Sequence, residues 1–240
     1  MVFSDTTNYT GIVQLLEEWT STQGSASTNY PLAKKTRDIN LAFDDYQNMV
    51  KRVAGTWQAD DTNHTKYPNM TFELTSGQKD YTFTEDEQGN QVQDIYRVEV
   101  KRADGSWKVL KYVNEMDKEE AISTIDTQTG EPEEYYLTAN GVFLITASNY
   151  TQANGIRMFF TRSPNYFLTS DTTKEPGIPN GHHRYLALKP AYWFWMPKDS
   201  TKAQVYANEI AKMETEIAEE YAQRTRMSKH RVLAKQESCR

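Results

Sequence analysis

Residues 95–113 read IYRVEVKRADGSWKVLKYV. Two short alternating runs flank Asp104-Gly105, a dipeptide that closes tight turns between antiparallel strands. The hairpin they predict sets the period of everything around it. From Met70 to about Phe167 the runs MTFEL, KDYTF, EEYYLT, VFLIT and IRMFFTR follow one another with turn residues between them. Asn140-Gly141 and Asn154-Gly155 read as further hairpin signals. Strands this short and this closely spaced predict an antiparallel sandwich or small barrel, with room for one helical interruption at EMDKEEAIS, 115–123.

Outward from this middle, the period changes at both ends. In TGIVQLLEEWTS (10–21) Ile12, Leu15, Leu16 and Trp19 fall on one helical face, with Thr10 as N-cap and Gly24 as the stop. In YPLAKKTRDINLAFDDYQNMVKRVAG (30–55) Ile39, Phe43, Tyr46, Val50 and Val53 step by four and three along a second helix between Pro31 and Gly55. After the irregular TTKEPGIPNGHH (172–183), helical patterning returns from Lys189 to about Arg226, limited or kinked by Pro190 and Pro197. Asp199 or Ser200 caps a new start. Tyr206, Ile210, Met213, Ile217 and Tyr221 then form a narrow apolar stripe among glutamates, and such a stripe needs a partner: the N-terminal helices or another subunit. The reading is α+β: a helical bundle from the N- and C-terminal segments (1–66 and 181–240) with an inserted antiparallel β-sandwich or barrel (67–180).

The chain of 240 residues carries a net charge of −6, which argues against coating nucleic acid with its whole surface. No apolar run is long enough to cross a bilayer. The start, MVFSDTTNYTG, lacks a secretory pattern, and the single Cys239 excludes an intramolecular disulfide, so a reducing cytoplasm, or a particle assembled in one, is the expected home. The sequons at Asn8, Asn63, Asn69 and Asn149 then read as chance products of a Thr- and Asn-rich chain.

Catalytic signals are absent. No P-loop, G-x-S-x-G, G-x-G-x-x-G or metal-ligand spacing occurs. His182 and His183 are neighbours whose side chains diverge, and they read as solvated or capping groups. The acid pairs Asp44-Asp45, Asp60-Asp61, Glu119-Glu120 and Glu133-Glu134 also diverge and form no dyad. No catalytic, cofactor or metal residue is assigned, and an enzyme with dispersed acids is the weakest reading.

Two features point to binding. Tyr192, Trp193, Phe194 and Trp195 make the densest aromatic knot, placed where the β region hands back to helices; it reads as a junction anchor. From Arg224 onward the chain is basic: Arg224, Arg226, Lys229, Arg231 and Lys235 surround Val232 and Leu233. A basic last turn complements the helix dipole, but the run outlasts the stripe and reads as an extended docking arm for an acidic surface or nucleic acid. An alternative uses Tyr81, Tyr96, Trp107, Tyr112, Tyr135 and Tyr136 as sugar-stacking platforms of a carbohydrate-binding sandwich, a decoration or receptor-binding component.

Several stretches carry a family resemblance. YPNMTFELTSGQKDYTFTED, IYRVEVKRADGSWKVLK, TGEPEEYYLTANGVFLITASNYTQANGIRMFFTRSPNYF and EPGIPNGHHRYLALKPAYW together resemble the neck proteins of tailed-bacteriophage virions, of the head-to-tail adaptor or connector kind. The matching features are the Ser76-Gly77-Gln78 turn into an aromatic strand, Gly130-x-Pro132 before Tyr135-Tyr136, the Asn140-Gly141 turn and Pro176-Gly177-Ile178-Pro179 ahead of a helix. YPLAKKTRDINLAFDDY is similar to the helix that precedes the β region in such proteins. The likeness spans about Tyr30 to Trp195; Thr146-Ala147-Ser148-Asn149 stands where the family has a Pro-rich turn. It implies a non-enzymatic ring subunit, dodecameric, seated in the neck between portal protein and downstream tail or nozzle proteins. Genomic DNA would pass through its lumen without sequence-specific contact. The C-terminal helix or tail would reach the portal, and assembly would take place in the host bacterial cytoplasm.

Overall fold

The structure, a computed structural model, describes residues 1–23, 28–54, 69–82, 85, 89, 91–114 and 127–233, with the backbone alone for 69 and 224–233. The protein is α+β, and its chain divides into two compact units: Met1–Thr65 with Pro164–Arg240, and Lys66–Ser163.

The first unit holds four α-helices among the described residues: α1 Ile12–Thr20, α2 Leu32–Ala54, α3 Tyr185–Trp195 and α4 Ser200–Leu233. Helix α1 is capped by Gly11, not Thr10, because the Thr10 hydroxyl instead donates to Asp5 Oδ2 at 2.7 Å. It ends at Ser21, whose left-handed φ of 54° turns its N–H back onto the carbonyls of Glu17 and Glu18. Gly24, Gly55 and the 115–123 segment lie outside the described residues. Asp199 caps α4 by accepting the N–H groups of Thr201 and Lys202 at 3.0 and 3.1 Å. Pro190 sits inside α3 without ending it, while Pro197 falls in the turn between α3 and α4.

All four helices share one core. Ile12 and Leu16 of α1, Ile39, Phe43 and Tyr46 of α2, Leu186 and Ala187 of α3, and Ile217 and Tyr221 of α4 are fully or almost fully buried together. Each large apolar side chain buried this way contributes about 1.5–3 kcal/mol.

The segment 164–180, expected in the β domain, belongs to this unit. The reason is local: past Arg162 no strand pairs with the chain, and helix α2 satisfies its backbone instead. The Asn40 amide donates to the Phe167 carbonyl and accepts the Phe167 N–H, both at 2.9 Å. The Phe167 ring stacks on Phe3 at 4.6 Å.

The second unit contains ten described strands: β1 Asn69–Leu74, β2 Asp80–Thr82, β3 Val92–Lys101, β4 Trp107–Val109, β5 Lys111–Tyr112, β6 Thr129–Gly130, β7 Glu134–Thr138, β8 Gly141–Leu144, β9 Ala147–Ser148 and β10 Gln152–Arg162. Two four-stranded sheets run β1-β10-β3-β4 and β2-β8-β7-β5, and β6 pairs with β9. The pairings are antiparallel except β5–β7 and β6–β9. Neither larger sheet closes on itself, so the barrel alternative fails. Both contribute to one core, with Leu74, Val98, Val100, Ile156 and Met158 from the first and Tyr81, Tyr135, Val142 and Leu144 from the second.

The opening hairpin is present: β3 and β4 pair through Glu99 and Val109, and Gly105 takes a φ of 85°, which disfavours any residue with a Cβ. The Asn140-Gly141 signal marks a different device. The two-residue connection is Ala139-Asn140 and Gly141 already pairs with Thr138. Its glycine is needed for close approach, because a Cβ there would lie 2.3 Å from the Tyr81 carbonyl of β2. Asn154-Gly155 is no hairpin either. It lies within β10, where the register against β1 jumps from Phe72–Ile156 to Leu74–Gln152, a bulge with Asn154 at a φ of 50°.

Candidate functional site

The helical unit positions the expected junction and docking residues. Along α4 the stripe turns inward: Ile217 and Tyr221 are fully buried, Ile210 nearly so, and Tyr206 and Met213 pack on the same core. The chain's own helices are therefore the partner of this stripe. Beyond Tyr221 the helix continues to Leu233, about 18 Å at 1.5 Å per residue. Arg224, Arg226, Lys229, Arg231, Val232 and Leu233 stand on its last turns, as helix rather than as an extended arm. The physical reason lies in composition: residues 222–233 contain no Gly or Pro and are rich in Ala, Arg, Lys, Met and Leu. Lys235 lies outside the described residues.

The aromatic knot is half-buried at the α3–α4 corner. Phe194 stacks on Tyr30 at 5.0 Å and meets Trp195 edge-on at 5.2 Å. The Trp195 indole N–H donates to the Trp19 carbonyl at 3.0 Å, and the Tyr206 hydroxyl donates to the same oxygen at 3.2 Å. These two bonds satisfy a carbonyl in the last turn of α1, an acceptor with no partner inside its own helix. Tyr192 and Trp193 pack against the shared core. Lys198 and Lys202 cover Phe194 and Trp195, their ammonium groups 3.2 and 4.1 Å from the ring centroids. A lysine over each of these rings occupies a face on which a ligand would stack.

Sequence reasoning misplaced the histidines. His182 and His183 are buried, because the turn Asn180–His182 is packed under α2 and α4. His182 Nδ1 meets the Tyr46 hydroxyl at 2.7 Å, and Nε2 meets Glu220 at 3.0 Å. The Tyr46 and Tyr221 hydroxyls are 3.2 Å apart. This chain of groups ties α2, the turn and α4 together just before the basic turns begin. His183 Nε2 bonds the Ile178 carbonyl at 2.8 Å, and burial pushes its pKa below the ordinary value. A second polar seam joins α3 to its neighbours: Lys189 and the Tyr185 hydroxyl both donate to Glu214 at 2.9 Å, and Lys189 also faces Asp45 at 3.6 Å.

A buried ion pair was also missed. Lys35 is fully buried in α2, its ammonium 2.7 Å from Glu17 of α1 and 3.0 Å from the Thr22 carbonyl. The signal existed, since Lys35 lies four residues before Ile39 on the same helical face.

The acid pairs are engaged in local bonding. Asp44 accepts from the Tyr166 hydroxyl, Glu133 pairs with Lys108 at 2.8 Å, and Glu134 with Lys111 at 3.3 Å. Asp60-Asp61 and Glu119-Glu120 lie outside the described residues. Among the described residues no group of three or more His, Cys, Asp or Glu side chains could hold a metal ion, and no helix is long and apolar enough to cross a membrane.

The sugar-platform candidates of the second unit are largely covered. Tyr81 and Tyr135 are buried, and Tyr136 stacks on Phe143 at 4.8 Å. Over the Trp107 ring lies the Arg157 guanidinium, 4.1 Å from the centroid and bonded to Glu99 at 2.8 Å. Tyr96 tilts against Phe159 at 6.4 Å, which leaves Tyr112 as the most exposed of the six.

No family model matches the chain, and no curated protein matches it.

Proposed function

We propose that this chain is a head-to-tail adaptor of a tailed-phage virion: a non-enzymatic ring subunit, dodecameric, linking portal to tail and forming part of the DNA conduit. In its finer form the fold is a helical bundle with an inserted β-sandwich. The observation that carries the reading is helix α4, whose apolar stripe ends in the core at Tyr221 while the helix runs on through a basic stretch. A helix that only completed a core would need none of those last turns. Arg224, Arg226, Lys229, Arg231, Val232, Leu233 and Lys235 are the portal-docking residues in this reading. The knot of Tyr192, Trp193 and Trp195 fixes the angle at which α4 leaves the β unit's return. The family itself comes from the sequence resemblance. The net charge of −6 suits a conduit wall that repels the phosphate backbone.

The carbohydrate-binding alternative is disfavoured by the covered faces of Trp107, Tyr81 and Tyr135. The adaptor reading is tested by a chain ending at Gln223, mixed with purified portal rings. It is expected to keep its fold by circular dichroism and to fail to co-sediment with the rings. Full binding by the shortened chain would refute the docking role.

A further inference from the structure

An exposed aromatic and an open groove sit on the helical unit, and the functions described above use neither. Tyr9 is 74% exposed and holds a positive φ of 57°. For a tyrosine that conformation costs on the order of 1–3 kcal/mol, and it persists only where its surroundings enforce it. Here Asp5 enforces it. One carboxylate oxygen accepts the N–H groups of Thr7 and Asn8 at 3.1 and 2.9 Å, and the other accepts from the Asn8 amide and the Thr10 hydroxyl at 3.2 and 2.7 Å. The Asp5 carbonyl accepts the Tyr9 N–H at 3.0 Å. The loop therefore holds a large ring rigidly in solvent. An aromatic presented this way loses little conformational freedom when it binds, as the anchor residues of interfaces do.

The groove, of about 510 Å³, runs between α2 and the segment after the β unit. Leu41 and Leu168 wall it and are themselves 48% and 64% exposed. Asp44 and Tyr166 provide its polar end, the Tyr166 hydroxyl donating to Asp44 Oδ1 at 2.6 Å. Apolar walls with a carboxylate at one end match a phenol, which has an apolar body and a donor at its tip. Arg37 lines the groove with a side chain 63% exposed. The knob loop carries one charge, Asp5, held ionised by its hydrogen bonds with a pKa lowered to about 2. Anionic knob and cationic lip are complementary.

We propose that Tyr9 of one copy seats in the Leu41–Leu168 groove of a second copy, its hydroxyl on Asp44 and Asp5 facing Arg37. Each chain carries both halves of the contact, so copies complement one another without a foreign partner. The inference deepens the ring-subunit reading and rests on it.

The test uses the purified full-length chain alone, with mass read by sedimentation velocity and folding by thermal melting. The wild-type chain is expected to self-associate. Tyr9→Gly is expected to weaken that by about tenfold or more while its melting temperature holds or rises, because glycine takes the positive φ without strain. Leu168→Asp is expected to weaken it similarly from the groove side. A mixture of the two variants keeps one intact knob and one intact groove, and is expected to form pairs that grow no further. Self-association of Tyr9→Gly equal to wild type, a mixture that forms no pairs, or a wild-type chain that stays monomeric would overturn the proposal. Because no portal is present, these outcomes are separate from success or failure of the truncated chain on portal rings.

Discussion

Glu17→Gln isolates the buried Lys35 ammonium. In the wild-type protein that ammonium has two close partners, Glu17 at 2.7 Å and the Thr22 carbonyl at 3.0 Å, with the Tyr30 ring centroid 5.9 Å away. Lys35 is 0% exposed and Glu17 7%, so water cannot replace a lost carboxylate without opening the α1–α2 contact. Removing one partner of such a pair costs about 3–5 kcal/mol, most of it the penalty of a buried charge left uncompensated. For a helical unit of this size each kcal/mol lowers the midpoint by about 2–4 °C, so a fall of about 10–15 °C is expected. Replacing both partners, as Glu17→Leu with Lys35→Met, removes the charges together and is expected to come within about 1 kcal/mol of wild type. Thermal melts followed at 222 nm measure both. A loss below about 1 kcal/mol for Glu17→Gln, or a double variant as unstable as the single one, would refute the reasoning.

Gly141→Ala is expected to destabilise the β unit by about 1–3 kcal/mol in urea melts, because its Cβ would meet the Tyr81 backbone and force β2 away. Asp5→Ala is expected to lower the melting temperature at neutral pH. The folded pKa of about 2 lies below the ordinary 3.8, so this contribution is present above about pH 4 and vanishes as pH falls through 2; wild type and variant should converge there in a melting series against pH. On a glycan array the full-length chain is expected to give no sugar-dependent signal, and reproducible binding lost on Tyr112→Ala would restore the carbohydrate reading.

The legible parts of this fold are those governed by neighbours in sequence. Ile39, Phe43, Tyr46 and Val50 announce α2 through their spacing, and Asp104-Gly105 announces its turn because the φ of Gly105 is a local matter. Asn154-Gly155 has similar chemistry yet forms a bulge, since its role depends on how β1 pairs with β10. The buried histidines were hidden for the same reason: His182 bonds Tyr46, 136 residues away. Barrel closure failed as an expectation because nothing local encodes which strands are edges. The basic end of α4 was misread for another cause, a charge run taken as a tail although its residues are good helix formers. The groove beside Leu41 left no trace in sequence, being assembled from α2 and a segment more than a hundred residues later.

The division of the chain has a consequence for biosynthesis. Helices α1 and α2 leave the ribosome with their apolar faces uncovered, because α3 and α4 lie on the far side of the β unit. At about 5–20 residues per second, the roughly hundred residues from Lys66 to Ser163 keep those faces waiting for about 5–20 s. The β unit, continuous in sequence, can complete its own pairing during that interval. Nascent chains stalled just before Tyr185 should therefore be the species that chaperones hold, and the half-made helical unit the point at which newly synthesised copies are lost to aggregation.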